Sequence, residues 1–291
     1  MKSIYVFPGQ GAQSVGMGAE LYKNNSAARE VFDTIDNALG EKLSDIIFNG
    51  PIETLTLTAN VQPAILATSI AMFRAANLPM PDYVAGHSLG EYSALCAANA
   101  ISLADAARLV RARGNAMQSA VPVGAGITAV VLGLDIDTVK QVCEQYDATV
   151  ANDNCPGQVV ISGLKENIEP AMDALKNAGA RRVMPLALSV PVHCPAQEAA
   201  AQQMQEILNT IEIKNPIVPI ISNKTAKPMT DASEIRESLV YQMTHGVRWR
   251  ESVLEMVNLG IDDLTEIGPG NVLCGLVSRI TDKINAHKLE I

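Results

Sequence analysis

A serine between two glycines is the strongest chemical signal in the sequence. The segment Gly86-His87-Ser88-Leu89-Gly90 has the pattern G-x-S-x-G, follows a short apolar run and precedes small residues typical of a helix. A strand, a sharp turn and a helix in this order expose the serine hydroxyl at the carboxyl edge of a sheet and aim helix amides at an oxyanion. Such patterns also occur by chance in glycine-rich loops, but the flanking elements favour a nucleophile at Ser88.

A serine nucleophile needs a base, and the chain has four histidines. His87 neighbours the serine in the tight turn, so we expect its ring to brace the turn or to contact substrate. His287 lies in a polar C-terminal tail and is expected to be exposed. His193, in a proline-bracketed loop, is favoured over His245 because loop ends of a sheet carry most catalytic groups. Both stay candidates for the base.

One arginine lies on the apolar face of a predicted helix. Arg113 shares this face with Val110 and Met117 at helical spacing. A guanidinium there must find an anion, because burying it unpaired is very costly. Two interpretations stay open: a structural salt bridge to Asp or Glu, or a clamp for a substrate carboxylate beside the nucleophile.

The order of apolar and amphipathic segments predicts the fold. Strands alternate with helices through most of the chain, which is typical of an α/β fold with a parallel sheet. The middle of the chain instead predicts the ferredoxin-like order β-α-β-β-α-β. We therefore expect an α/β-hydrolase-like catalytic domain from residues 1–124 and 190–291, with a ferredoxin-like subdomain inserted at 125–189.

Individual elements are predicted as follows. The strands are 3–7, 83–87, 126–133, 148–153, 159–163, 182–188, 217–222 and 263–267, with turns at 154–157 and 268–270. The helices are 26–39, 60–77, 89–99, 102–119, 136–146, 166–178, 196–209, 234–243 and 249–259, and a last helix follows the second turn.

Composition argues against several classes of protein. The 291 residues contain 22 Lys and Arg against 31 Asp and Glu, a net charge of −9, and only 4% are aromatic, which disfavours nucleic-acid binding. No apolar run approaches the ~20 residues of a membrane helix. The five cysteines are widely spaced and contain no CxxC pair, which is typical of reduced thiols. We expect a cytoplasmic protein that binds no nucleic acid, membrane or metal.

Four segments together carry a resemblance to a known family. They are Phe7–Gln13, Gly86–Leu95, Ser189–Cys194 and Gly268–Gly270. In order and spacing they resemble the malonyl-CoA:acyl carrier protein transacylases, from about residue 3 to residue 281.

This resemblance implies a ping-pong acyl transfer in fatty-acid biosynthesis. Ser88 would attack the malonyl thioester of CoA with His193 as the base, and the malonyl group would pass to the phosphopantetheine thiol of holo acyl carrier protein. The resemblance assigns the oxyanion to the backbone amides of Gln10 and Leu89, and the substrate carboxylate to Arg113. It assigns to the main-chain carbonyl of Gln242 the orientation of the histidine. No cofactor is implied, because the CoA thioester is a substrate, and a monomer is expected.

The sequence departs from the family pattern near the two candidate bases. His245-Gly246 stands where the family often has Asn-Pro, and this would place an extra histidine near the site. Val192 replaces the serine that precedes the family's histidine, a change that can alter acyl-chain tolerance. Leu89 and Val190-Pro191 match malonyl-selective members rather than polyketide-synthase domains that take branched extender units.

Three other functions compete with malonyl transfer for fatty-acid synthesis. They are a freestanding acyltransferase of a polyketide synthase, a serine acyl-hydrolase or thioesterase, and a scaffold that binds carrier protein. Arg113 argues against the hydrolase, because a pocket for neutral acyl chains has no use for a cation. Since carrier proteins and this chain are both acidic, we expect a local basic patch for docking. The candidates are Lys165, Lys176, Arg181, Arg182, Lys224 and Lys227.

Overall fold

Two β-sheets organise the structure, a computed structural model that describes residues 2–122 and 124–291. The strands are β1 (Lys2–Phe7), β2 (Tyr83–Gly86), β3 (Gly126–Leu132), β4 (Thr149–Cys155), β5 (Gln158–Leu164), β6 (Arg182–Pro185), β7 (Ile220–Ile221), β8 (Pro228–Met229), β9 (Ile261–Glu266) and β10 (Asn285–Lys288). The helices are α1 (Ala19–Asn24), α2 (Ser26–Leu39), α3 (Leu43–Asn49), α4 (Ile52–Thr56), α5 (Thr58–Ala76), α6 (Gly90–Ala97), α7 (Leu103–Ala120), α8 (Ile136–Gln145), α9 (Lys165–Asn177), α10 (Glu198–Thr210), α11 (Ala232–Thr244), α12 (Trp249–Asn258) and α13 (Val272–Ile280). A short 3₁₀ turn covers Pro195–Gln197.

The larger sheet has the strand order β10-β9-β1-β2-β7-β8. Its strands pair in parallel except for β8, which runs antiparallel to β7. Along β1, Tyr5 and Phe7 pack into one buried cluster, while Ile4 and Val6 pack into another. Helices therefore cover both faces of this sheet, which explains why β1 is continuously apolar from Ile4 to Phe7 rather than alternating.

Long helices form the thick layer on one face of the larger sheet. α2, α5 and α7 pack against one another, and α5 is buried along most of its length. The apolar run in α5 is thus a core helix. Among the described residues, no helix has both the length and the apolar stretch needed to cross a membrane.

The smaller sheet is antiparallel and has the order β4-β5-β3-β6. With α8 and α9 it forms the β-α-β-β-α-β unit, and Val131, Ile161, Val139 and Leu175 share its own core cluster. The predicted fold class, a parallel α/β core with an inserted ferredoxin-like unit, is confirmed. The elements of this unit run from Gly126 to Pro185, and the domain division at 125 and 189 stays a prediction.

Three predicted segments differ from the structure. β7 covers only Ile220–Ile221 instead of 217–222, because the Ile217 amide donates to the Ala98 carbonyl at 3.0 Å rather than to a strand. β6 ends at Pro185 instead of 188. β4 continues through Cys155, where a turn was expected from 154, and two register irregularities bend it.

The short elements were not predicted from the sequence. These are α1, α3, α4, β8 and β10, whose length is too small for a periodic pattern to identify. The interpretation of His287 as part of a polar tail was wrong: it lies on β10 opposite Thr265, and its Nε2 lies 3.1 Å from the Thr265 hydroxyl. Its side chain is exposed, as expected.

Two glycines allow the turn after β2 to form. A Cβ on Gly86 would lie 1.9 Å from the carbonyl carbon of Gly90, and a Cβ on Gly90 would lie 2.0 Å from the Phe7 carbonyl oxygen. The start of α6 can therefore approach β1 and β2 only because both residues lack a side chain. Ser88, between them, has a left-handed φ of 53°.

We expect Gly90→Ala to destabilise the protein by about 1–3 kcal/mol or more, because the new methyl group overlaps backbone that cannot move alone. Gly275→Ala in α13 is the matched control, since a Cβ added there would meet no atom within 4 Å beyond the backbone of its own helix and its chain neighbours. It should be neutral or stabilising by up to about 1 kcal/mol. Urea unfolding measures both, and equal midpoints for the two variants would contradict the packing argument.

Candidate active site

The strained turn that carries Ser88 is held by an asparagine from another strand. Asn223 follows β7, and its Oδ1 accepts the Ser88 amide at 2.8 Å while its Nδ2 donates to the Gly86 carbonyl at 2.6 Å. A non-glycine residue in the left-handed region persists only where its surroundings fix it. This clamp from Asn223 supplies that fixation and exposes the serine hydroxyl.

Ser88 and His193 form a hydrogen-bonded pair. The Ser88 Oγ lies 2.7 Å from His193 Nε2, and His193 Nδ1 lies 2.5 Å from the main-chain oxygen of Gln242. Because a carbonyl oxygen only accepts, Nδ1 carries the hydrogen and Nε2 is left to accept the serine proton. The arrangement can therefore activate the hydroxyl without a carboxylate partner for the histidine.

The surroundings of His193 favour its neutral form. Burial and, to a smaller extent, the nearby charge of Arg113 lower the pKa of His193 to about 3, although the hydrogen bond to Gln242 opposes both. A neutral imidazole near pH 7 is the form that can accept a proton.

Arg113 is a buried cation held by neutral partners. Its side chain is 2% exposed, Nη1 donates to Gln62 Oε1 at 2.8 Å, and Nη2 donates to Gln242 Oε1 at 3.0 Å. Nη2 also lies 3.3 Å from Ser88 Oγ. The guanidinium thus reaches the nucleophile through its own hydrogen bond.

The described residues give Arg113 no ion pair within 4.0 Å. By contrast, Arg111 on the same helix pairs with Glu41. Of the two interpretations of Arg113, the structural salt bridge is therefore wrong, and a cation in this position can attract an anionic group that enters the site.

A cavity of about 370 Å³ joins these groups and lies between the two sheets. Gln10, Ser88, Leu89, Arg113 and His193 line it on the side of the larger sheet. The opposite wall comes from the smaller sheet and the segment after β6, with Thr128, Asn152, Val160 and the residues 186–188. The segment that was predicted to extend β6 is thus part of the cavity wall.

Gln10 and Leu89 both line this cavity. Within the described chain, neither the Gln10 amide nor the Leu89 amide donates to a protein acceptor. Leu89 directly precedes α6, so the positive end of that helix adds to its field. These two N–H groups can stabilise an oxyanion on a carbonyl bound at Ser88.

His87 and His245 have different surroundings from His193. His87 Nε2 lies 2.9 Å from Asn154 Oδ1, and its ring packs on Trp249, so it links the turn to the smaller sheet while still lining the cavity. His245 was expected near the site, but it is exposed, stacks on Tyr241 with ring centroids 3.8 Å apart, and does not line the cavity. Gly246 instead allows the chain to approach the Val150 carbonyl, where a Cβ would lie at 2.3 Å.

Three polar residues behind the site were not predicted from the sequence. They are Gln62 on α5, Glu91 on α6 and Asn223 after β7, all nearly or fully buried. A signal existed for each, because Gln62 interrupts an apolar helix, Glu91 begins a helix of small residues and Asn223 directly follows an apolar strand. A buried polar group in such a position needs hydrogen-bond partners, and these three supply them to the site.

Comparison with known proteins identifies the class of protein that this fold and site define. Residues 4–288 match the family described as Acyl transferase domain. Among curated relatives, the malonyl CoA-acyl carrier protein transacylase of Bacillus subtilis is 45% identical over 97% of this chain and 92% of its own length. The Escherichia coli K12 protein of the same name is 43% identical over 98% of this chain and 94% of its own.

Solved structures give the same result. The acyl-carrier-protein S-malonyltransferase from Bartonella henselae is 47% identical, with a TM-score of 0.96 over 99% of this chain and 95% of that one. A malonyl-transacylase in complex with its type II polyketide-synthase acyl carrier protein is 41% identical, with a TM-score of 0.96 over 99% and 96%. The chain belongs to the family of malonyl CoA-acyl carrier protein transacylases and is an acyltransferase.

We expect the His193 imidazole to stay neutral as the pH falls from 8 to 5, because its pKa is lowered to about 3 and protonation follows only well below the usual range. NMR of the histidine side chains measures this, with His193→Asn assigning the signal. A His193 shift that titrates with a midpoint near 6.5 would contradict the burial argument.

Proposed function

We propose that this protein transfers the malonyl group from malonyl-CoA to the phosphopantetheine thiol of acyl carrier protein, in fatty-acid biosynthesis. The observation that carries the proposal is the Arg113 guanidinium, buried without a carboxylate of its own and 3.3 Å from Ser88 Oγ. In a malonyl thioester, one methylene separates the free carboxylate from the reacting carbonyl. A cation beside the nucleophile suits that short spacing.

In the first half of the reaction, Ser88 Oγ attacks the thioester carbonyl while its proton moves to His193 Nε2. The Gln10 and Leu89 amides stabilise the oxyanion. As the intermediate collapses, the carbon–sulfur bond breaks, CoA leaves as the thiol with the proton from His193, and the malonyl ester of Ser88 remains. Gln242 keeps the imidazole in the tautomer that this transfer needs.

In the second half, the acyl carrier protein enters the same cavity with its phosphopantetheine arm. Its thiol loses a proton to His193 and attacks the serine ester, the same two amides stabilise the oxyanion, and His193 returns the proton to Ser88 as the serine leaves. The chemistry needs no cofactor, since CoA and the carrier arm are substrates. Ser88, His193 and Arg113 contact one another within one chain, so we expect the monomer to be active.

Arg113 also separates transfer of malonate from hydrolysis of neutral acyl chains. A thioesterase that accepts uncharged acyl groups would leave this cation buried and unpaired after substrate enters, at a large cost in free energy. A malonyl carboxylate would instead form a charge-assisted pair with it.

The carrier protein is the partner on which the pathway depends. One similar structure is a malonyl-transacylase in complex with its polyketide-synthase acyl carrier protein, which supports the alternative of a polyketide role for this chain. Both roles share the chemistry above, and only the preferred carrier protein separates them.

The surroundings of the six candidate docking cations favour two of them. Among the six candidates, Lys165, Lys176, Lys224 and Lys227 pair with surface carboxylates. Arg181 and Arg182 form no ion pair within the described residues, are exposed, and lie where β6 begins. We therefore favour these two for contact with an acidic carrier protein. A cytoplasmic location belongs to the same proposal, and the five unpaired cysteines suit a reducing compartment.

Ser88→Ala should form no covalent malonyl adduct, because the ester oxygen is removed. Intact-mass measurement after incubation with malonyl-, acetyl- and methylmalonyl-CoA tests this, with and without holo carrier protein to separate transfer from hydrolysis. His193→Ala should slow adduct formation by orders of magnitude, whereas His245→Ala should not. An adduct that survives in Ser88→Ala would move the nucleophile elsewhere.

Arg113→Ala should lower kcat/KM for malonyl-CoA by the equivalent of about 2–5 kcal/mol, with a much smaller effect on acetyl-CoA, which has no free carboxylate. Steady-state kinetics with both thioesters measure the ratio. Arg111→Ala is the matched control on the same helix, since Arg111 pairs with Glu41 and does not line the cavity, so the ratio should not change. Equal losses for both substrates in Arg113→Ala would make its role structural.

A further inference from the structure

Glu91 is a fully buried carboxylate that the mechanism above does not use. It is the second residue of α6, is 0% exposed and does not line the cavity. A buried carboxylate is costly unless donors surround it. Its partners therefore indicate what it does.

Three groups donate hydrogen bonds to this carboxylate, and all three come from residues that lie behind the active site. Oε1 accepts hydrogen bonds from the backbone amide of Asn223 and from the Ser238 hydroxyl, both at 3.2 Å. Oε2 accepts from the side-chain Nε2 of Gln242. An ionised carboxylate only accepts hydrogen bonds, so it dictates that all three neighbours present their hydrogens to it.

The consequence for Gln242 is a fixed amide orientation. Because Nε2 faces Glu91, Oε1 must face the other way, where it accepts from Arg113 Nη2 at 3.0 Å. With the amide reversed, an NH₂ group would face the guanidinium, donor against donor. Glu91 therefore decides which end of Gln242 meets Arg113.

The other oxygen of the same carboxylate is linked to Ser88 through Asn223. Glu91 holds the Asn223 backbone, and the Asn223 side chain holds the Ser88 amide at 2.8 Å. The main chain of Gln242 also holds His193. Glu91 thus binds both Asn223 and Gln242, the residues that hold Ser88, His193 and Arg113 in place.

The placement of charge adds to this argument. Glu91 and Arg113 carry opposite charges but are separated by the Gln242 amide, so their attraction lowers the cost of burying the cation without a direct ion pair. The guanidinium thereby stays available to an anion in the cavity.

We propose that Glu91 is a positioning residue, whose carboxylate fixes the Gln242 amide and so presents the Arg113 guanidinium to the free carboxylate of the substrate. This inference rests on the proposed malonyl transfer.

The test is Glu91→Gln, which keeps the shape but replaces one acceptor oxygen with a donor. The remaining oxygen of the variant side chain can accept the hydrogen bonds from the Asn223 backbone amide and the Ser238 hydroxyl. Its new NH₂ group then faces the Gln242 side chain, whose amide must rotate so that its oxygen accepts from that group. At pH 8, above the pKa of about 7 to which burial raises Glu91, the wild-type carboxylate is ionised. We expect the malonyl-CoA to acetyl-CoA ratio of single-turnover acylation rates at subsaturating thioester to fall about tenfold or more, since hydrogen bonds to charged groups contribute that much.

Glu266→Gln is the matched control for removing a buried carboxylate. Glu266 is 1% exposed, accepts the Cys274 amide at 2.8 Å and does not line the cavity. It should lower the melting temperature and leave the substrate ratio unchanged. A merely structural Glu91 would behave in the same way, so an unchanged ratio in Glu91→Gln, or equal losses for both thioesters, overturns the inference.

If Glu91→Gln does not fold, Gln242→Met tests the same connection. This variant removes the side-chain amide but keeps the main-chain carbonyl that orients His193, and it should show a similar loss of malonyl preference. A retained preference overturns the inference. The proposed function fails separately, if wild-type protein itself forms no malonyl adduct on Ser88.

Discussion

The arrangement of the site depends on one buried positive charge. Arg113 is taken out of water and held by the amide oxygens of Gln62 and Gln242, which orient its guanidinium without neutralising it. Removing such a charge from water costs several kcal/mol, and the rest of the fold must offset that cost. We propose that the same unneutralised charge makes the cavity selective, because an entering malonyl carboxylate would form the ion pair that the protein does not supply. Stability and specificity therefore oppose each other at this residue.

Ser88 and His193 share an unusual backbone conformation. Ser88 and His193 both have a φ of 53°, a region that non-glycine residues rarely adopt. Each donates a hydrogen bond to a residue distant in the chain: the Ser88 backbone amide to Asn223 Oδ1, and the His193 ring to the main-chain oxygen of Gln242. The backbone of Asn223 and the side chain of Gln242 both donate to Glu91. The strained geometry is thus maintained by a polar network in which nearly every member is buried, where such bonds are strongest.

The two sheets contribute different residues to the site. The larger sheet and its connections carry Ser88, His193, Arg113, Gln10 and Leu89, whereas the smaller sheet mainly closes the cavity with Val160 and neighbouring residues. His87 joins the two units through Asn154 on β4.

The sequence by itself determined the fold class, the strand-turn-helix around Ser88 and the apolar helical face that carries Arg113, because these follow from local periodicity and from spacing within one element. It favoured His193 over His245 without settling the choice, and it left both interpretations of Arg113 open. Only the tertiary structure paired His193 with Ser88 and left Arg113 without an ion pair among the described residues, since these contacts depend on which residues meet across long separations in the chain. The same reason hid Asn223 and Glu91, whose hydrogen bonds join elements that are far apart in sequence and become neighbours only when the sheets assemble.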